Sequence, residues 1–146
     1  MSVLVTGGAG YIGSHMVLEL LGAGEDVVVL DNLSTGFRSA VPDAASFVEG
    51  NVGDRTLVRR ILREHSIDSI LHFAGSIIVP ESITDPLGYY GNNTCNSRNL
   101  LVCAVDAGIP HFIFSSTAAV YGEPQYTPIG EDAQLRPISP LSLIHI

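Results

Sequence analysis

Val3-Leu4-Val5-Thr6-Gly7-Gly8-Ala9-Gly10-Tyr11-Ile12-Gly13-Ser14-His15 follows the first two residues of the chain and decides how the rest is read. Ser2 to Thr6 is a nearly continuous apolar run ending in glycines, the pattern of a strand buried on both faces. Ile12, Met16, Val17, Leu20 and Leu21 then recur at helical spacing until Gly22 and Gly24 stop the helix. Between the two lie glycines at 7, 10 and 13, a variant of the dinucleotide fingerprint. A tight turn of bare backbone there brings N–H groups and a helix N-terminus against a pyrophosphate, and Gly13 lets the helix pack closely on the strand. Alone, a glycine-rich turn also forms for purely structural reasons. Here a second apolar strand, residues 26–30, ends at Asp31, 18 residues beyond Gly13. A carboxylate at that point can accept both hydroxyls of an adenosine ribose and repels a 2′-phosphate, which favours NAD over NADP.

Working outward, the same alternation continues. Residues 46–49 read as a short third strand. Asp54 caps a helix whose Leu57, Val58, Ile61 and Leu62 face one way and whose arginines face water. Residues 69–73 give a fourth strand. Thr84 or Asp85, followed by Pro86, opens a long helix that Gly108 and Pro110 close, and residues 111–116 give a fifth strand. Strand–helix alternation implies right-handed parallel crossovers and an α/β fold built on a doubly wound parallel sheet, Rossmann-like in form. From Ala118 to Pro140 the sequence is loop-like, with four prolines, and no second domain is expected after it.

Composition narrows the function classes. Seven Lys plus Arg stand against fifteen Asp plus Glu, a formal charge of −8, and all seven positives are arginines. Without a lysine, no mechanism that needs a side-chain ammonium can run inside this chain. The acidic balance argues against nucleic acid or an anionic membrane as partner, since both are polyanions. At 46% hydrophobic residues the chain can bury a core. Cys95 and Cys103 have no metal-ligand spacing and read as buried free thiols of a cytoplasmic protein, and no metal site is expected. The N-terminus has no basic segment, and no apolar run is long enough to span a membrane.

Some side chains outside the glycine loop could carry chemistry. Ser115-Ser116-Thr117 ends the fifth strand, and ligands bind at the carboxyl ends of parallel strands; a plain turn is the other reading. His15, His65, His72 and His111 lie on separate elements and read as helix-surface or sheet-end imidazoles. Asn92, Asn93 and Asn96 interrupt a helix for which asparagine is a mediocre former. Surface exposure would explain them, and so would a polar face turned into a cofactor cleft.

Together these segments resemble the extended short-chain dehydrogenase/reductase family and, within it, the sugar-nucleotide 4-epimerases. The carriers are TGGAGYIGSH at 6–15, DNLSTG at 31–36, FVEGNV at 47–52, HFAG at 72–75, YYGNNTCNSRNLL at 89–101 and FSSTAAVYGEP at 114–124. The resemblance implies an NAD-dependent isomerase. Such an enzyme oxidises C4 of a nucleotide-linked hexose (a UDP-hexose), turns the keto sugar over and returns the hydride to its other face. By position it assigns the pyrophosphate loop to Gly7, Gly10, Tyr11, Ile12 and Gly13. The ribose contacts fall to Asp31 and Asn32, with Ser34 and Thr35 lining the same loop. Asn51 and Val52 match the adenine-reading pair, although the family usually has aspartate at the first place. Phe73, Ala74 and Gly75 match the turn under the cofactor, and Asn92 a polar contact from the long helix. Thr117 matches the catalytic hydroxyl that bonds the sugar's 4-oxygen and relays its proton. Related dehydratases carry an acidic pair after this threonine; here Ala118-Ala119 stand there, which favours an epimerase. The resemblance also implies a parent homodimer.

The pattern departs after Pro140. Family members follow Ser-Pro with Tyr-x-x-x-Lys, whereas Leu141 and His145 occupy the tyrosine and lysine places. The expectation is therefore an NAD-binding domain over residues 1–140, truncated before its last strands and its substrate domain, and inactive alone. A non-catalytic NAD-binding module is one alternative; a fragment that does not fold alone, for want of the strands and helices that cover one side of the sheet, is another. Residues 141–146, LSLIHI, read as a non-family tail, an in-frame translation of a sequencing-library adapter.

Overall fold

The computed structural model describes residues 1–146. Its Cα packing divides the chain into two compact units, residues 1–75 with 95–115, and residues 76–94 with 116–146.

The first unit is a five-stranded, all-parallel sheet in the order β3-β2-β1-β4-β5. Its strands are β1 (Ser2–Thr6), β2 (Asp26–Asp31), β3 (Ser46–Glu49), β4 (Ser69–His72) and β5 (His111–Phe114). Alternate residues of β1 feed opposite faces, because successive side chains of a strand point to opposite sides. Val3 and Val5 join Val27, Val29, Leu71 and Val17 of α1 (Tyr11–Gly22), while Leu4 joins Val28, Leu30 and Ile70 on the other side. That second face is covered by Val58, Ile61 and Leu62 of α2 (Arg55–Glu64) and by Leu100 and Cys103 of the helix Asn96–Asp106. Helices on both faces make the sheet doubly wound, as the alternation predicts.

Local signals place the helices. Asp54 caps α2, its Oδ1 accepting from Thr56 N and Leu57 N at 2.9 and 3.0 Å, which satisfies two orphan donors of the first turn. The arginines of α2 stay exposed. Two strands end slightly earlier than expected: β4 stops at His72 rather than Phe73, and β5 at Phe114 rather than Ser116.

The second unit departs more from expectation. Residues 79–84 form a short helix α3 (Val79–Thr84), with Pro80 in its first turn, and α4 (Pro86–Tyr89) follows. Asp85 caps α4 through Gly88 N at 3.0 Å, as the Asp-Pro pair predicts. The long helix is not uniform: a π-helical turn over Tyr90–Cys95 separates α4 from α5 (Asn96–Asp106). Residues 118–121 form a 3₁₀ turn within the stretch read as loop. Residues 140–144 form α6 (Pro140–Ile144), closed at its start by a capping box between Ser139 and Ser142, with Leu141 2% exposed. No helix is long and apolar enough to cross a membrane.

Candidate functional site

At the carboxyl ends of β1 and β2 the first unit builds a loop almost wholly from backbone. Gly7 donates to Leu30 O at 2.9 Å, Gly10 N to Gly7 O at 3.1 Å and Ser14 N to Gly10 O at 2.9 Å, which folds residues 7–10 into a tight turn leading into α1. Gly7 has φ +72°, and a Cβ there would lie 2.6 Å from Ala74 N; at Gly13 a Cβ would run into Gly7 O. Both positions demand glycine, one for its conformation and its neighbour, the other for contact between helix and turn. Gly10 stands at the N-cap of α1 without any capping side chain, and the first turn of α1 carries no acid. The start of α1 therefore presents bare N–H groups and the positive end of the helix dipole, the ordinary form of an anion site.

Asp31 ends β2 at 9% exposure. Its Oδ2 accepts from Ala9 N at 2.9 Å and its Oδ1 from Leu33 N at 2.8 Å. A carboxylate has about four acceptor positions, so each oxygen keeps a lone pair for another donor. Asp31 also fastens the glycine turn to β2. The loop after it doubles back: Asn32 Oδ1 accepts from Ser34 N at 3.1 Å, Phe37 N donates to Ala9 O at 3.0 Å, and a Cβ on Gly36 would stand 2.7 Å from Ala9 C. Both backbone polar groups of Ala9 are thus held by residues 31–37. Ala9 and Gly36 were not singled out by sequence, although Gly36 within residues 31–36 was a signal. Tyr11 and Ile12 are 82% and 60% exposed, and Tyr11 packs on the His15 ring.

Asn51 Oδ1 accepts from Gly53 N at 2.7 Å in a local turn, and Val52 beside it is 7% exposed. A Cβ on Gly53 would meet Asn96 Oδ1, and Asn99 Nδ2 approaches Gly53 O at 3.4 Å. Asn96 of α5 is therefore half-buried against the turn that follows β3. His72 sits at a sheet end, as read, and is 1% exposed, with Nδ1 2.6 Å from Thr6 Oγ1 and Nε2 2.7 Å from Ser97 Oγ. The bond links the ends of β1 and β4 at the residues just before Gly7 and Phe73. Phe73 and Ala74 are partly buried and Gly75 is exposed. Cys103 is buried as expected, whereas Cys95 is exposed because the π turn carries it outward.

The remaining predicted residues lie in the second unit. Asn92 Nδ2 donates to Ser76 Oγ at 2.9 Å, and Asn93 bonds the Ser76 main chain. Thr117 caps the 3₁₀ turn, its Oγ1 accepting from Ala119 N at 3.2 Å and keeping its own proton to donate. Ser116 Oγ donates to His145 O at 3.1 Å. Leu141 lies on α6 and His145 caps its end one turn later, with His145 Nδ1 2.7 Å from Leu141 O. Tyr89 donates its hydroxyl to Glu81 Oε2 at 2.7 Å; burial first, and then this bond, raise its pKa above the ordinary tyrosine value.

Residues 3–143 match the model of the NAD dependent epimerase/dehydratase family. The chain is 55% identical to a UDP-glucose 4-epimerase of Azospirillum brasilense over 138 residues, covering 94% of this chain and 40% of that protein. Among solved structures, UDP-glucose 4-epimerase from Brucella ovis in complex with NAD superposes with a TM-score of 0.94 at 42% identity, over 99% of this chain and 44% of that one. The enzyme of Bifidobacterium longum in complex with NAD+ and UDP gives 0.94 at 35% identity, over 99% and 46%. The chain thus spans about 40% of the length of the curated relatives it matches.

Proposed function

The chain belongs to the NAD dependent epimerase/dehydratase family, and from that premise we propose that it is the NAD-binding part of a UDP-glucose 4-epimerase, which interconverts UDP-glucose and UDP-galactose. The carrying observation is the start of α1, a helix N-terminus with no side-chain cap and no acid in its first turn, reached through glycines at 7, 10 and 13. Those residues fit a dinucleotide: bare N–H groups for a pyrophosphate, and spare acceptor capacity on Asp31 for ribose hydroxyls. When bound, NAD supplies a hydride acceptor that also gives the hydride back.

The roles divide as follows. Gly7, Gly10, Tyr11, Ile12 and Gly13 cradle the pyrophosphate. Asp31 and Asn32 hold the adenosine ribose, with Ser34 and Thr35 beside them. Asn51 and Val52 border the adenine; Asn51 has one Oδ1 lone pair committed to Gly53 N and another for an amino donor. Phe73, Ala74, Gly75 and Asn92 complete the cofactor contacts. Thr117 donates to the 4-oxygen of the sugar. Residues 1–140 carry the NAD-binding fold, and the parent enzyme is a cytoplasmic homodimer, for which exposed Leu101 and Val105 of α5 offer apolar surface. With Leu141 and His145 in place of a tyrosine and a lysine, the chain as it stands binds NAD and does not turn over.

Calorimetry on the purified chain tests this. Micromolar NAD binding, with NADP at least about tenfold weaker, is the expected result, since Asp31 repels a 2′-phosphate. Absence of NAD binding would overturn the cofactor reading. Conversion of UDP-galactose by the same preparation would overturn the reading of residues 141 and 145.

A further inference from the structure

Four of the seven arginines of this acidic chain lie on one helix, α2, against a single acid, Glu64. Arg55, Arg59 and Arg63 follow one another at intervals of four, so they form one ridge about 12 Å long on that helix. Local energetics oppose the arrangement. Like charges four apart on a helix repel each other. Arg55, directly after the capping Asp54, also stands at the positive end of the helix dipole. Few acids offset this. Arg59 Nη2 reaches Asp106 Oδ2 at 2.8 Å and Arg60 reaches Glu64 at 3.8 Å, whereas Arg55 and Arg63 make no ion pair. All four residues are exposed.

The ridge borders a groove. α5 lies beside α2 on the same face of the sheet, joined to it by the Arg59–Asp106 pair and by the Cys103 thiol, 3.8 Å from Arg55 O. Toward the C-terminal ends of both helices the groove widens into a cavity of about 590 Å³. Buried Leu62, Ile67 and Cys103 give it an apolar floor, with Arg59, Arg63 and Asp106 among its other lining residues. That volume lies in the range of ordinary binding pockets, which are apolar with a few polar groups. Ile67 directly precedes the start of β4, so the cavity is at the amino ends of the parallel strands. The glycine turn is at their carboxyl ends, and ridge and cavity both belong to the first unit.

Charge and spacing together select the occupant. An extended peptide places every second side chain on the same side, about 6.6 Å apart, close to the step of about 6 Å along the ridge. Alternate carboxylates can therefore meet successive arginines while an aliphatic side chain enters the cavity. Arg59 retains N–H groups for this beyond the one given to Asp106. A long polyanion would instead set its whole charge against a chain of formal charge −8.

We propose that the groove between α2 and α5 is a docking site for an acidic peptide segment of a partner protein, its carboxylates on Arg55, Arg59 and Arg63 and an aliphatic side chain in the cavity. The proposal is independent of the NAD reading above.

Fluorescence anisotropy on the purified chain tests it, with a labelled octapeptide in which glutamate alternates with serine and one serine is replaced by leucine. Saturable binding that weakens as salt is raised is expected. Arg63→Glu should weaken it about tenfold and Arg63→Gln about threefold. Arg136→Glu, in the second unit, changes the net charge as much as Arg63→Glu and should leave affinity within about twofold of wild type. Exchanging the leucine of the peptide for serine should cost about tenfold. Urea midpoints check folding, and Arg63→Gln carries the comparison if Arg63→Glu is less stable. Absence of saturable binding up to about 1 mM peptide overturns the proposal. Equal losses from Arg63→Glu and Arg136→Glu do so too, since general charge would then suffice. A single-stranded oligonucleotide of the same charge binding as tightly as the peptide also overturns it.

Discussion

In the first unit Val3, Leu4, Val5, Val29, Leu30 and Ile70 are each at most 1% exposed, and the glycine turn at the end of β1 is built mainly of backbone bonds, with Asp31 fastening it. In the second, the deepest side chains include Ser82 and Ser142 at 0% and Asn93 at 7%, while Ile77, Ile83 and Leu87 stand 79%, 62% and 82% exposed. Apolar burial dominates the first; the second has fewer buried apolar side chains, such as Tyr89, Val120 and Leu141, and relies more on paired polar groups, through Asn93 with Ser76, Tyr89 with Glu81, Ser139 with Ser142 and Ser82 with Leu141 N. Apolar burial contributes about 1.5–3 kcal/mol for each full-sized side chain, a net hydrogen bond only about 1 kcal/mol. The second unit should accordingly open before the first, and the glycine turn lies in the part expected to open last.

Gly13→Val should have the largest effect. Its side chain has no place beside Gly7, so stability is expected to fall by about 3 kcal/mol in urea unfolding. NAD binding should vanish with it. A stable variant that still bound NAD would mean that the first unit is not as closely packed as its backbone implies.

Next in size is a matched pair, Leu100→Ala and Leu141→Ala, at 0% and 2% exposure. Each removes a buried side chain at a cost of about 2–5 kcal/mol. Hydrogen exchange should show Leu100→Ala lowering protection along β1 and β4, and Leu141→Ala lowering it only within residues 76–94 and 116–146. Equal spread from both sites would erase the distinction between the units.

Tyr89→Phe sharpens the polar side of the comparison. Losing the bonds to Ile78 N and Glu81 should cost about 1 kcal/mol at neutral pH. Because the folded pKa of Tyr89 lies above its unfolded value near 10, folding favours the neutral phenol. That contribution is whole below about pH 10 and is lost as pH rises through the higher folded value. Wild type should therefore lose stability in alkali where Tyr89→Phe does not, in urea titrations across pH 8 to 11.5.

The smallest effect should come from Arg59→Ala. Its ion pair with Asp106, at 2.8 Å, has both side chains about half exposed, and solvent screens it. No measurable change in the urea midpoint is expected, in either low or high salt.

How far the sequence could be read follows the same division. Apolar runs at residues 2–6, 26–30 and 69–72 announce buried strands because a side chain there has one place to go. Asp54 announces a cap because its partners are two and three residues away. By contrast, His72 finds Thr6 and Ser97, and Asn93 finds Ser76, across 16 residues or more. Nothing local tells an asparagine which loop it will hold, so the bonds of Asn92 and Asn93 to Ser76 could not be read from the sequence. The helix α3 was hidden for a related reason: its branched residues stay exposed and leave no amphipathic stripe of the usual kind.

By itself, then, the sequence determined the parallel sheet, the glycine turn and the acid at the end of β2, because each follows from covalent geometry, from the size of a missing side chain or from apolar patterning. Only the tertiary structure decided that Asp31 also fastens Ala9, that His72 joins two strand ends through hydroxyls, and that a π turn aims Asn92 and Asn93 at Ser76. Those are hydrogen bonds between residues distant in the chain, and their partners exist only once the backbone has been brought together.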